Sequence, residues 1–293
     1  MTRPATRSGF PAKRVLSGVL AVVVTGLILW AGLPLLAPAW LLLTLVGITE
    51  YAQMLRLRGI TVRTRSLWVA TPLTLLAALP AEMLAGLGLP AVIGDGTSWR
   101  ELLLILVAVY LVALELIKPN RNSLNSVVFS LFGYVYIPWL FSFMITLRHV
   151  PDYSLGLWYL ALPLIAVVAS DVGAFTIGSL MGRTRLAPNI SPNKTVEGAI
   201  GGLLFAVVFV ISLNWVASTL FDFNVHSGKL MVFALIVAAA GQAGDLFESL
   251  FKRWVGVKDS GRFLPGQGGV LDRIDSHLFA MAFAYLFVNL FSL

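Results

Sequence analysis

The chain has 293 residues, 58% of them hydrophobic and only 12% charged, with a net charge of +7 and no cysteine. Soluble domains carry about 25% charged residues, so this composition cannot cover a water-soluble globule, and most of the surface must face lipid. The missing cysteines exclude a disulfide framework, a thiol nucleophile and thiolate metal sites, and the basic balance reports membrane topology rather than nucleic-acid binding.

Residues 1–14 are a basic, Ser/Thr/Pro-flavoured segment containing Arg3, Arg7, Lys13 and Arg14. It is similar to the basic start of a signal peptide. No small-residue cleavage site follows, however, and many apolar runs come after it, so the first run is read as a retained helix. A spanning helix needs about 20 mostly apolar residues. Nine runs fit: 15–32, 35–54, 67–88, 101–117, 124–147, 155–180, 197–220, 229–250 and 271–292, the first two joined by a tight turn near Pro34. The expected fold is an all-α polytopic membrane protein of about nine transmembrane helices. About five fall in an N-terminal part, 15–150. About four fall in a catalytic C-terminal part, 151–293, with polar loops at 181–197 and 251–271.

Basic residues orient the spans. With a cytoplasmic N-terminus and strict alternation, 18 of the 21 Lys and Arg residues lie inside, leaving only Arg100, Arg148 and Lys229 outside. This is the positive-inside pattern. The same topology puts Glu82, Asp95, Glu101, Asp152 and Asp222 in outer segments and the other nine acidic residues in the cytoplasmic half.

Ionisable groups inside a membrane are costly and mark functional sites by default. Three segments concentrate them. The first is Ser170-Asp171-Val172-Gly173-Ala174, deep in an apolar span; the alternative is a structural carboxylate paired with a cation or hydroxyls. The second runs Gly182-Arg183-Thr184-Arg185, then Ser191-Pro192-Asn193-Lys194-Thr195-Val196-Glu197-Gly198, just before a helix start. Helix N-termini favour phosphate, Arg and Lys add charge-assisted hydrogen bonds, and Thr195 is placed to cap the helix with Glu197 close behind. The alternative is an ordinary positive-inside loop.

The third segment is the densest. Residues three and four apart share a helix face, so Asp245, Glu248, Ser249 and Lys252 form one polar stripe, and Asp272, Asp275 and Ser276 form another. The link between them holds Arg253, Lys258, Asp259 and a Gly-rich stretch ending in Gly268 and Gly269. Two carboxylate faces joined by a basic, Gly-rich loop suit a nucleotide held through Mg²⁺, which takes oxygen ligands with waters and phosphates completing its shell. A salt-bridged loop is the alternative. His149, His226 and His277 carry no signal of catalysis.

These residues resemble the phosphatidate cytidylyltransferase (CDP-diacylglycerol synthase) family. Its signature is matched by Ser249-Leu-Phe-Lys252-Arg253, Lys258-Asp259 and Gly268-Gly269-Val270-Leu271-Asp272-Arg273-Ile274-Asp275. The Ser170-Asp171 and Ser191-to-Gly198 stretches are similar to the family too, as is Arg14-Val15-x-Ser17-Gly18. One position departs: Gln267 stands where the family usually has His. Gln cannot take a proton near neutral pH, which puts a general base at this position in doubt. The reaction does not require one, since a phosphate monoester is already anionic with a second pKa near 6.

The resemblance implies that CTP and phosphatidate give CDP-diacylglycerol and pyrophosphate, with Mg²⁺ and in some arrangements a second metal ion. It makes Asp245 the main metal ligand, helped by Asp171, Asp272 or Asp275. Lys194, Lys252, Arg253 and Lys258 would neutralise phosphates, Asp259 and Arg273 would join the catalytic group, and Ser191, Asn193, Thr195, Glu197, Glu248, Ser249, Gly268 and Gly269 would bind substrate. It also implies a homodimer in a bacterial cytoplasmic membrane, and the charge-based topology independently puts the active site on the cytoplasmic side. A secondary transporter or another CTP-dependent lipid-phosphate enzyme is the alternative. Against the transporter, the carboxylates gather at one face and the chain shows no internal repeat of the kind transporters carry.

Overall fold

In lipid every backbone N–H and C=O must be paired within its own segment, so long apolar runs become helices. The computed structural model describes residues 23–93, 96–119, 122–150, 153–221, 223–263 and 268–291. Helical residues 23–31 meet Gly32 (φ 69°) and turn into α1, Leu33–Arg56. Then come α2 (Thr64–Ala77), α3 (Ala81–Gly86), α4 (Trp99–Ile117), α5 (Ser123–Tyr134), a π-helical turn (Val135–Trp139) and α6 (Phe143–Leu147). The second half is α7 (Tyr153–Met181), β1 (Arg185–Ala187), β2 (Ser191–Thr195), α8 (Val196–Leu220), α9 (Ser227–Val255) and α10 (Leu271–Phe291).

Among the described residues, six helices are long and apolar enough to cross a membrane: Leu33–Arg56, Ser123–Leu147, Leu155–Met181, Val196–Leu220, Ser227–Val255 and Leu271–Phe291. The chain is thus a nearly all-α integral membrane protein, and six of the nine expected runs stand as clear spans among the described residues. The physical reasons differ for each of the other three. Run 15–32 falls partly on residues outside the described set. Run 67–88 breaks after Ala77, because Pro80 disfavours helix at the residue before it, leaving helices of 14 and 6 residues. Run 101–117 is a 19-residue helix, but it carries Arg100, Glu101 and Glu115.

The all-α expectation is amended at one place. Loop 181–197 holds a two-stranded antiparallel hairpin that pairs Arg185 with Thr195 and Ala187 with Ser191. β-branched Thr195 suits extended backbone, and Pro192 is tolerated on an edge strand but not inside a helix.

At 29 residues each, α7 and α9 are about 43 Å long, well over the roughly 30 Å hydrocarbon core. Their last turns, charged in α9 through Lys252 and Arg253, therefore extend toward the polar interface. Contacts collect the basic loops at one end of the molecule. Arg58, just past α1, donates to Trp254 O near the end of α9; Asn122 donates to Gly59 O at 3.4 Å; Arg253 donates to Ile190 O at 3.2 Å. At the start of α9 and the end of α10, Lys229 donates to Phe291 O at 2.9 Å.

Inside the bundle, Tyr51 of α1 stacks on Phe251 of α9 with centroids 5.3 Å apart and donates to Phe129 O at 2.9 Å. Arg63 bonds buried Glu115 at 2.6 Å, tying the start of α2 to α4. Large apolar side chains such as Leu116, Leu124, Phe175 and Leu180 remain exposed, as a lipid-facing wall requires.

Candidate active site

The site is built where the C-terminal halves of α7 and α9 meet the N-terminal ends of α8 and α10. Thr195, the last residue of the hairpin, caps α8 by accepting from Gly198 N–H at 3.1 Å. Its neighbour Lys194 reaches Asp245 of α9 at 2.5 Å. Asp171 of α7 lines the same cavity, together with Asn193, Lys194, Thr195, Gln242 and Asp245, in a volume of about 300 Å³. Ala174, Phe175, Leu186 and Leu246 supply apolar walls. Two carboxylates and one ammonium therefore share a small cavity opening beside a helix N-terminus, where backbone N–H groups favour phosphate.

Close approach of α7, α8 and α9 makes this cavity possible. At Gly202 a Cβ would stand 2.7 Å from Ser170 O and 2.8 Å from Gln242 Nε2, so only glycine lets the three helices meet there. Gln242 locks the junction, donating to Ser170 Oγ at 3.0 Å and to Ala199 O at 3.1 Å.

A second polar hub lies one turn further along α9. Lys252 donates to Glu248 Oε2 and to Asp272 Oδ1, both at 2.6 Å. Asp272 also accepts on Oδ2 from Ser260 N–H at 2.9 Å and Gly269 N–H at 2.7 Å. Both its oxygens are thus engaged. Gly268 adopts φ 86° beside it, a left-handed conformation that L side chains resist. Ser249 donates to Asp245 Oδ1 at 3.4 Å. Asp275 is buried and accepts from Ser276 N–H at 2.7 Å.

Other sequence candidates lie further out. Glu197 is not among the residues lining the 300 Å³ cavity; it accepts from Arg183 and Thr184 N–H groups at 3.1 Å and clamps the start of the hairpin. Arg253 is exposed and ties α9 to the hairpin through Ile190 O. Lys258, Asp259 and Arg273 are exposed, and Ser191 is half-buried in β2. Gln267 lies outside the described residues.

Three residues of the site were absent from the sequence candidates: Gln242, Ser260 and Glu50. Glu50 of α1 accepts from Ser260 O–H, Val270 N–H and Leu271 N–H at 3.1, 3.0 and 2.8 Å. Its signal was available, since it is the one acidic residue of an apolar helix, and the same rule singled out Asp171. Glu50 also lines a second cavity of about 460 Å³, with Leu45, Thr49, Gln53, Trp68 and Arg262 among its walls.

For a metal ion, the described residues contain no group of three or more His, Cys, Asp or Glu side chains close enough to hold one. The pair Asp171 and Asp245 suits Mg²⁺ nonetheless. This ion usually takes one or two carboxylates and completes its shell with waters and substrate phosphates.

Comparison with known proteins gives the family. Residues 12–291 match the model of the cytidylyltransferase family. The chain is 33% identical to the phosphatidate cytidylyltransferase of Bacillus subtilis over 280 residues, covering 96% of this chain and 98% of that one. It is 40% identical over 194 residues to the phosphatidate cytidylyltransferase of Staphylococcus haemolyticus, and 39% over 191 to that of Staphylococcus saprophyticus. These matches cover 66% and 64% of this chain and 71% and 70% of the relatives. A family match across nearly the whole length, with relatives 33–40% identical over most of their own length, shows that the chain belongs to the cytidylyltransferase family.

Proposed function

We propose that this membrane enzyme transfers the cytidylyl group of CTP to phosphatidate, giving CDP-diacylglycerol and pyrophosphate. The observation that carries the reading is the cavity in which Lys194 and Asp245 pair at 2.5 Å beside Asp171. Relatives similar over most of the chain bear the name of this activity.

In the reaction an anionic phosphatidate oxygen forms a bond to the CTP α-phosphorus. The bond from that phosphorus to the bridging oxygen breaks, and its electron pair leaves with pyrophosphate. No proton must first be removed from the attacking monoester, so the Gln at position 267 does not block the chemistry. The residues have three tasks: to hold the triphosphate, to align the lipid phosphate, and to balance charge that moves toward pyrophosphate. Asp171 and Asp245 would hold Mg²⁺, which stabilises attacking and leaving oxygens in such displacements. Lys194 then exchanges its pairing with Asp245 for substrate phosphate. Arg253 and Lys258 add positive charge around the mouth, while Lys252, held between Glu248 and Asp272, supplies a fixed ammonium.

We place the N-terminus and this site in the cytoplasm, where CTP is, with the lipid entering sideways between helices. The nine-crossing topology and a homodimer belong to the same proposal. The test is to incubate detergent-purified protein with phosphatidate, Mg²⁺ and CTP labelled at the α-phosphate. Label should pass into the lipid phase with release of pyrophosphate, and both should vanish in Asp245→Asn or with excess chelator. Release of CDP with unlabelled lipid would instead identify a CTP-dependent kinase.

A further inference from the structure

A carboxylate in an apolar helix is costly unless its oxygens are fully hydrogen-bonded. Glu50 is only 5% exposed, and both oxygens are occupied. Oε1 accepts from Val270 N–H at 3.0 Å, and Oε2 from Leu271 N–H at 2.8 Å and Ser260 O–H at 3.1 Å. Leu271 is the first residue of α10, so a side chain from α1 satisfies the opening N–H of a helix 221 residues away.

The same turn then contacts Asp272. Ser260 Oγ accepts from Asp272 N–H at 3.3 Å, and Ser260 N–H donates to Asp272 Oδ2 at 2.9 Å. Asp272 holds Lys252, which holds Glu248. One polar chain therefore runs from α1 through Glu50, Ser260, Asp272 and Lys252 to α9. The glycines of the turn are shaped to it: a Cβ at Gly261 or Gly269 would overlap the Glu50 carboxylate.

We propose that Glu50 is a positioning residue of the cytidylyl-transfer site. It fixes Ser260 and the start of α10 against α1 and thereby sets Asp272 and the Lys252 ammonium. The inference rests on the function proposed above and deepens it. Three donors converge on two acceptor oxygens, so the requirement is for a carboxylate and not for polarity alone. In Glu50→Gln an NH₂ donor faces donors, whereas Glu50→Asp keeps both acceptors one methylene shorter.

Two measurements on the full-length protein in detergent test this. In the labelled-CTP assay, Glu50→Gln should lower kcat by about 10–100-fold, the range seen when partners that orient a site are removed, and Glu50→Asp should recover part of it. Combined with Asp272→Asn, the loss should be no larger than that of the more damaging single change, because groups acting as one unit are not additive. Losses that multiply, or a kcat equal to wild type in Glu50→Gln, would overturn the proposal. The second readout needs no substrate: trypsin should cut at Lys258 and Arg262 faster in Glu50→Gln than in wild type, with Glu50→Asp between them. Equal cutting rates would also overturn it. If Glu50→Gln does not fold, the same comparisons are made with Glu50→Asp. Should wild type fail to label phosphatidate, the function falls, and the proteolysis still decides whether Glu50 holds the turn.

Discussion

Lys194 and Asp245 are each about one-third exposed, at 28% and 32% of the side chain, so their pairing adds little to stability. Their position matters more than their attraction. Both line the cavity with Asp171, and separating them offers an acceptor set to a cation and an ammonium to a phosphate in one movement. Lys194→Met should therefore lose about 10²–10³-fold in kcat, the scale of removing one group that stabilises transition-state charge, with the unfolding midpoint little changed. Steady-state kinetics beside thermal unfolding in detergent would separate the two effects. Gly269 makes the opposite point. A methyl group there overlaps Glu50 and Ser260, and overpacking of this kind costs about 1–3 kcal/mol. Gly269→Ala should lower the unfolding midpoint and activity together. The candidate residues near Gly269 were legible from spacing alone, because i, i+3 and i+4 fix which side chains share a helix face. Glu50 was legible only as a lone carboxylate in an apolar helix; its partners were not, since they lie more than 200 residues away.

Among elements, the junction of hairpin and α8 carries the most information. Thr195 ends β2, caps α8 and lines the cavity, so one residue links the turn, the helix start and the site. Thr195→Ala should destabilise by about 1 kcal/mol, the usual cost of losing such a cap, and Thr195→Ser should retain the stability. Chemical unfolding of the two variants measures the difference. The cap was readable from Thr followed by a long apolar run. The hairpin was not, because strand pairing between Arg185 and Thr195 is a contact between segments, and neither segment alternates clearly. The division of run 67–88 was hidden for a related reason. Hydropathy sums over a window and does not register that Pro80 divides two short helices.

For the whole molecule, sidedness is the property most open to test. The chain has no cysteine, so single introduced cysteines report topology without background. Arg185→Cys should react with an impermeant maleimide only in inside-out vesicles, and Lys229→Cys only in right-side-out ones. Both positions are exposed. Labelling of both from one side would overturn the proposed orientation. The contacts that gather residues 58, 122, 190 and 253 at one end agree with the grouping of basic loops, which is a local charge count and needs no fold to read.

The sequence by itself determined that this is a polytopic membrane protein, where its polar segments lie and which family they resemble, because composition, helical spacing and a fixed-spacing motif are properties of the chain in order. Only the tertiary structure decided which carboxylates share a cavity. It put Asp171 beside Asp245 and Lys194, engaged both oxygens of Asp272, and brought Glu50 from α1 to the start of α10. Those pairings depend on how helices distant in sequence pack, and periodicity along one helix carries no information about the face it will meet.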